Sequence, residues 1–352
     1  NVLDRIDGCD FKEFILNRKE NSFEKVKIEI EFFFSDDSTK RESKKNKLIE
    51  LLNESKGKII PNSEVVIQEI HYHGLIIEAP LYIFDDLEKE KDISLLKANE
   101  IRYFRPSGQA IIKENHDMLD TIESKDRFKT SELLDEPIVA LLDGYPLAND
   151  SLLKEHLIID DPNEYASGYN IGEHIHGTSM ASLIIHGDLN SENENPLKRK
   201  IYIRPILKPD INIKSGNVRR ECIPDDKLMV DVIHQSVIES LKKYPSIKII
   251  NLSVGDEFRP FLFEMSPTAK LIDWLSEKYN ILFIISAGNY ETRFDLEIKE
   301  DEFLKLSIEE KEQLFLNEMA RDRIQRKIIS PAESLNAVTV GAYYSDESEI
   351  IP

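Results

Sequence analysis

Two textures of apolar spacing divide the chain near residue 112. Before it, Lys25 to Phe34 alternates, with Val26, Ile28, Ile30 and Phe32 set between Lys27, Glu29 and Glu31, the period-two signature of a strand with one buried face. Leu48, Leu51 and Leu52 recur at helical spacing inside the charged stretch Arg41 to Ser55, which predicts an amphipathic helix. Two β-branched runs between Lys58 and Pro80 flank His73-Gly74 and predict a hairpin turning there. A helix near Leu81 to Lys91 and a strand near Glu100 to Phe104 complete the series. Strand, helix, strand, strand, helix, strand is a split βαβ order, so residues 1–112 are expected to form a small α+β, ferredoxin-like domain.

Residues 113–136 are charged, sparse in apolar side chains and without period, and read as a linker. From Pro137 the pattern becomes short continuous apolar runs: Ile138 to Leu142, Ile201 to Leu207, Ile247 to Leu252, Ile281 to Ile285 and Ala337 to Val340. Separated by helical stretches at Asp226 to Tyr244 and Pro267 to Tyr279, they predict an α/β domain over 137–352 whose parallel sheet is covered on both faces. Between Tyr290 and Ile328 lies a charged insertion in which Ser307-Ile308-Glu309-Glu310 forms a capping-box pattern ahead of a helix to about Arg326. Its simplest role is a solvated surface helix; a protein partner on 291–327 is the alternative.

A length of 352 residues suits two cores of this kind. Sixty-six acidic against forty-six basic side chains give a net charge of −20, which repels nucleic acid and anionic membrane surfaces and favours solubility. Cys9 and Cys222 are far apart and offer no disulfide framework, so a reducing, cytoplasmic compartment is expected. No apolar stretch reaches the roughly 20 residues of a membrane span, and no signal-peptide pattern is present. The start at Asn1 and the end in Glu349-Ile350-Ile351-Pro352 suggest a piece of a longer chain.

Four segments carry candidate chemistry. The run Ile138 to Leu142 ends in Asp143-Gly144, which delivers a carboxylate at the C-terminal end of a buried strand. Thirty-three positions later, His176-Gly177-Thr178 opens a run of small residues, the pattern of a helix that starts at an imidazole and packs closely on a sheet. Ile284 to Asn289 is a strand ending in a small-residue turn, where the Asn289 amide could stabilise an oxyanion. Ile249 to Gly255 reads as a central strand whose small Ser253, Val254 and Gly255 leave backbone for an extended peptide to pair with. His174, His176 and Asp143 could supply nitrogen and oxygen ligands to zinc, but the His-x-His spacing is not the helical i, i+4 arrangement. Neither a metal nor another cofactor is expected.

Taken in chain order, Asp143, His176-Gly177-Thr178, Asn251-Leu252-Ser253-Val254-Gly255 and Ala287-Gly288-Asn289 resemble the motifs of the subtilisin-like serine proteases, the subtilases, over about residues 137 to 345. The resemblance implies that Asp143 orients His176, that His176 is the general base, and that Asn289 serves the oxyanion. It also implies that Ser253, Val254, Gly255, Ala287 and Gly288 contact a polypeptide substrate, and that Ser330-Pro331-Ala332 to Ala342 supplies the next strand. The N-terminal domain then resembles a subtilase prodomain, which in such zymogens packs on the protease, aids its folding and lays its tail in the cleft. The family's nucleophile motif, Gly-Thr-Ser-x-Ala, does not follow Asn289. Gly177 to Ala181 spells it, but that segment is fused to His176, so Ser179 is expected to be a small packing residue. The nucleophilic serine is therefore expected beyond residue 352, and these residues alone are expected to be inactive. A catalytically inactive peptide-binding or scaffold module of the same fold is the alternative.

Overall fold

The computed structural model describes residues 10–20, 23–84, 98–107, 132–187, 189, 196–215, 218–289, 296, 298–322 and 326–341. Asp10–Glu20 forms α1, Lys25–Phe32 β1, Ser38–Glu54 α2, Lys58–Ile59 β2, Val65–Ile67 β3, Tyr72–Pro80 β4 and Ile101–Pro106 β5. β1 is central, antiparallel to β4 on one side and β5 on the other, and β2 and β3 pair with β4. This is the sheet order of a split βαβ unit.

Three local expectations change. The turn of the hairpin lies at Gln68–Ile70 and His71, where φ is 51°, and β4 runs straight through His73-Gly74. Gly74 is a strand glycine, because a Cβ there would sit 2.2 Å from the Tyr72 hydroxyl. α2 starts at Ser38, ahead of Arg41, because Asp37 caps it by accepting from Thr39 N at 2.9 Å and Lys40 N at 3.4 Å. Leu81–Phe84 is a 3₁₀ turn, and residues 85–91 of the expected helix lie outside the described residues. α1 is an additional element: Phe11, Phe14 and Ile15 follow helical spacing and pack with β1 and β5.

In the second half, Val139–Asp143 is β6, Leu157–Ile159 β7, Ile175–His186 α3, Ile201–Pro205 β8, Lys208–Ser215 β9 and Val218–Cys222 β10. Met229–Lys243 is α4, Ile249–Leu252 β11, Asp256–Pro260 β12, Pro267–Tyr279 α5 and Leu282–Ser286 β13. Glu300–Phe303 is α6, Ile308–Asp322 α7, Ile329–Ser330 β14 and Ala337–Val340 β15. Six parallel strands in the order β15-β13-β11-β6-β8-β7 make the main sheet, so all five apolar runs are strands of one α/β sheet. Leu141, Ile201 and Ile203 face Ala181 and Ile185 of α3. Ala140, Leu142, Tyr202, Ile250 and Phe283 face Ile233 and Val237 of α4 and Leu271 and Ile272 of α5. Burial on both faces is why these strands read as continuous rather than alternating.

The two halves share a core. Ile67, Tyr72 and Ile76 of the N-terminal sheet and Ile70 of its hairpin turn belong to the same buried cluster as α4 and α5. Lys27–Asp225 at 2.9 Å and Arg102–Glu264 at 2.5 Å add ion pairs across the junction. Of the linker, residues 113–131 lie outside the described residues, while Leu134 already bridges to Arg199 of the second half. The capping box of the insertion is formed: Ser307 N donates to Glu310 Oε2 at 2.8 Å and Glu310 N to Ser307 Oγ at 3.2 Å. Among the described residues no helix is long and apolar enough to cross a membrane.

Candidate active site

β6 ends at Asp143, on the C-terminal edge of the sheet and between β11 and β8. Its carboxylate is fully buried, a placement that costs several kcal/mol unless hydrogen bonds offset it. Oδ1 accepts from His176 Nδ1 at 2.6 Å and from Gly144 N at 2.6 Å. Because an ionised carboxylate only accepts, Nδ1 carries the proton, and Nε2 is the basic nitrogen of the neutral ring. His176 is the second residue of α3. Gly177 brings it there: a Cβ on that residue would lie 2.4 Å from the Gly144 carbonyl oxygen, so only glycine lets the helix start press on the strand end. Thr178 Oγ1 fastens the same junction by donating to His174 O and accepting from Leu147 N at 2.8 Å.

Ser179 is exposed on α3, which corrects its reading as a packing residue. Two positions from Gly177, it is turned by about 200° around the helix, and Gly177, Ala181 and Ile185 make the contact with the sheet. His174 Nδ1 lies 2.9 Å from Tyr145 O, and its ring stacks on Tyr169. His186 is buried, with Nε2 3.2 Å from Leu152 O and its ring against His156. Burial pulls the pKa of both His156 and His186 down.

Supports invisible to pattern reading surround the pair. Tyr169 OH lies against Glu221 Oε1 and 3.2 Å from Leu207 O, and it accepts from Tyr145 N at 3.1 Å. Burial first, then the Glu221 charge and hydrogen bond, push the Tyr169 phenol far above its ordinary range. Glu173 receives Arg219 as a fork, Nε to Oε1 at 2.8 Å and Nη2 to Oε2 at 2.5 Å, and accepts from Asn170 N at 2.7 Å. The Arg219 hydrogen bond is the main reason its carboxyl falls to about 2. These residues sit in loops and a polar hairpin, where no periodicity marks them.

Beside the pair on the sheet edge, β11 runs out into Ser253, whose hydroxyl donates to Asn251 Oδ1 at 3.0 Å, then into buried Val254 and half-buried Gly255. β13 runs out into Ala287, Gly288 and exposed Asn289. Ala287 is fixed by its N–H to Val340 O at 2.9 Å and by Ile329 N to its carbonyl at 3.1 Å. Gly288 has φ of 102°, and a Cβ there would fall 2.2 Å from Ile329; one on Gly255 would fall 2.6 Å from the same side chain. Ile329 thus fills the slot between both turns. β6, β11 and β13 are neighbours about 4.8 Å apart, so Asp143, Ser253 to Gly255 and Ala287 to Asn289 leave from one sheet edge. The hydrogen-bonded pair is Asp143 and His176; Ala342 lies outside the described residues. A buried carboxylate fixing an imidazole tautomer is an arrangement suited to general-base chemistry.

A sequence model of the subtilase family matches residues 134–352. No curated protein matches the chain. Among solved structures the chain is similar to phospho-2-dehydro-3-deoxyheptonate aldolase from Thermotoga maritima at 8% identity and a TM-score of 0.16, covering 76% of this chain and 63% of that one. It therefore spans less than two thirds of that protein, and a likeness at this level carries no argument about fold or activity.

Proposed function

The chain belongs to the subtilase family of serine peptidases, and from that premise we propose that it is the Asp–His portion of a serine endopeptidase. Asp143 orients His176, whose Nε2 takes the proton of a serine located outside these 352 residues. The Asn289 amide stabilises the oxyanion of the tetrahedral intermediate, and a polypeptide lies along Ser253, Val254, Gly255, Ala287 and Gly288. The observation that carries this reading is the 2.6 Å bond between fully buried Asp143 and His176. The N-terminal domain, sharing a core with α4 and α5, supports a prodomain-like role. A protein partner on residues 291–327 remains part of the proposal, supported by Ile308, Leu316 and Met319, which α7 leaves exposed. The buried free thiol of Cys222 supports a reducing, cytoplasmic setting.

A fluorophosphonate probe on the full-length protein tests the central claim. One serine outside residues 1–352 is expected to be labelled, and labelling is expected to vanish in His176→Ala. Labelling of Ser179, or none on folded protein, rejects it.

A further inference from the structure

We propose that Tyr169, anchored by Glu221, is a positioning residue that sets the separation of Asp143 and His176; this rests on the reading of those two as the catalytic pair. They stand on different elements, β6 and α3, and the geometry of the connection between them must be fixed by side chains. Tyr169 touches both approaches. Its hydroxyl accepts from Tyr145 N at 3.1 Å, two residues past Asp143. Its ring lies flat on His174, two residues before His176, with centroids 4.8 Å apart and planes 19° from parallel. The triangle closes where His174 Nδ1 bonds to Tyr145 O at 2.9 Å.

Glu221 holds the phenol in place. Its Oε1 takes the Tyr169 hydroxyl, and its carboxylate lies so close on Gly144 that a Cβ there would fall 1.8 Å from Oε1. Gly144 is therefore required so that this carboxylate can reach the backbone between Asp143 and Tyr145. Two residues before Glu221, Arg219 forks onto Glu173 just ahead of His174. One polar hairpin, β9 with β10, thus clamps the turn that carries the carboxylate and the approach to the helix that carries the imidazole. The charged and titratable groups around His176 include Asp143 on β6, Tyr145 just past it, Glu221 and Arg219 on β10, Tyr169 ahead of α3, and His174 and Glu173 beside the helix start, with Arg219 neutralised by Glu173. The carboxylates favour the imidazolium.

The test reads the His176 Nδ1 proton by NMR in the 352-residue chain, where its strong deshielding reports the bond to Asp143 and its titration reports the imidazole pKa. Tyr169→Phe keeps the stacking and loses the hydroxyl. The signal is expected to move upfield and exchange with water several-fold faster, and the imidazole pKa to fall. Glu221→Gln keeps the shape and an acceptor but loses the charge; the signal is expected to persist while the pKa falls. In the full-length protein Tyr169→Phe is expected to lower kcat about tenfold or more with KM within about twofold, the pattern of a misplaced catalytic group. A folded Tyr169→Phe chain with the parent's proton shift, exchange rate and pKa overturns the proposal. If that variant does not fold, a Glu221→Gln chain with unchanged imidazole pKa does so instead. If the parent shows no deshielded proton that Asp143→Asn removes, the catalytic pair itself fails and this proposal with it.

Discussion

At the scale of single residues the glycines say most about the C-terminal edge of the sheet. Gly288 combines a φ of 102° with a Cβ position 2.2 Å from Ile329, so Gly288→Ala meets backbone strain and a side-chain clash together. Unfolding in urea is expected to show a loss of about 2–4 kcal/mol. Gly172, with open space where its Cβ would stand, is the control, and Gly172→Ala is expected to stay within about 0.5 kcal/mol of the parent. Asp143→Asn addresses the chemistry. An amide in that place can donate to Nδ1 and so favours the wrong tautomer of His176, and on the proposed peptidase reading kcat is expected to fall on the order of 10⁴-fold with the fold intact. Asp143 and His176 were legible because strand end and helix start each carry a local motif. Ile329 was not: it lies 41 positions beyond Gly288 in the sequence, across the insertion, and pairing of β14 with β12 together with its N–H to the Ala287 carbonyl brings it back to this edge.

Among the elements, those with one dominant packing period could be read. α5 spans Pro267–Tyr279 as expected, because Ser266 caps it by accepting from Ala269 N at 3.1 Å and Asn280 ends it in the left-handed region at φ 51°. β7, only three residues long, and the β9–β10 hairpin, held by backbone pairing and by charges, gave no such signal. That hairpin has a consequence for acid stability through Glu173. Its carboxyl is lowered in the folded chain from 4.5 to about 2, chiefly by Arg219, so the unfolded state binds more protons between those values. The stabilisation is complete above pH 4.5 and is lost as pH falls toward 2. Glu173→Gln is expected to be less stable than the parent at pH 6, with the gap closing as the pH is lowered across that window. Thermal melts at stepped pH check this, and a gap independent of pH would remove Glu173 from the account.

For the whole molecule, the junction between the two halves is where charge and packing meet. Tyr72 and Ile76 join the α4 and α5 cluster, so taking the N-terminal domain away uncovers the faces of two helices. A patch of that kind is expected to make the isolated second half bind hydrophobic dyes and aggregate. At the rim of this contact sits Asp256, the first residue of β12 and the chain neighbour of Gly255. Burial raises its carboxyl to about 7, opposed by Arg259 and reinforced by Glu29 from the N-terminal sheet. Here the sign is reversed from Glu173. Between 3.8 and about 7 the folded state holds the extra proton, so stability declines as pH rises through that interval. Asp256→Asn mimics the protonated form. It is expected to match the parent near pH 4 and to exceed it by about 1–3 kcal/mol at pH 8. The N-terminal domain helps to bury this group and supplies Glu29, so the same substitution is expected to make docking of the two halves less sensitive to alkaline pH, measured by dye binding of the intact chain at pH 5 and 8. Parallel pH profiles for parent and variant would mean that Asp256 is already solvated, and that the junction does not report pH to the strand beside it.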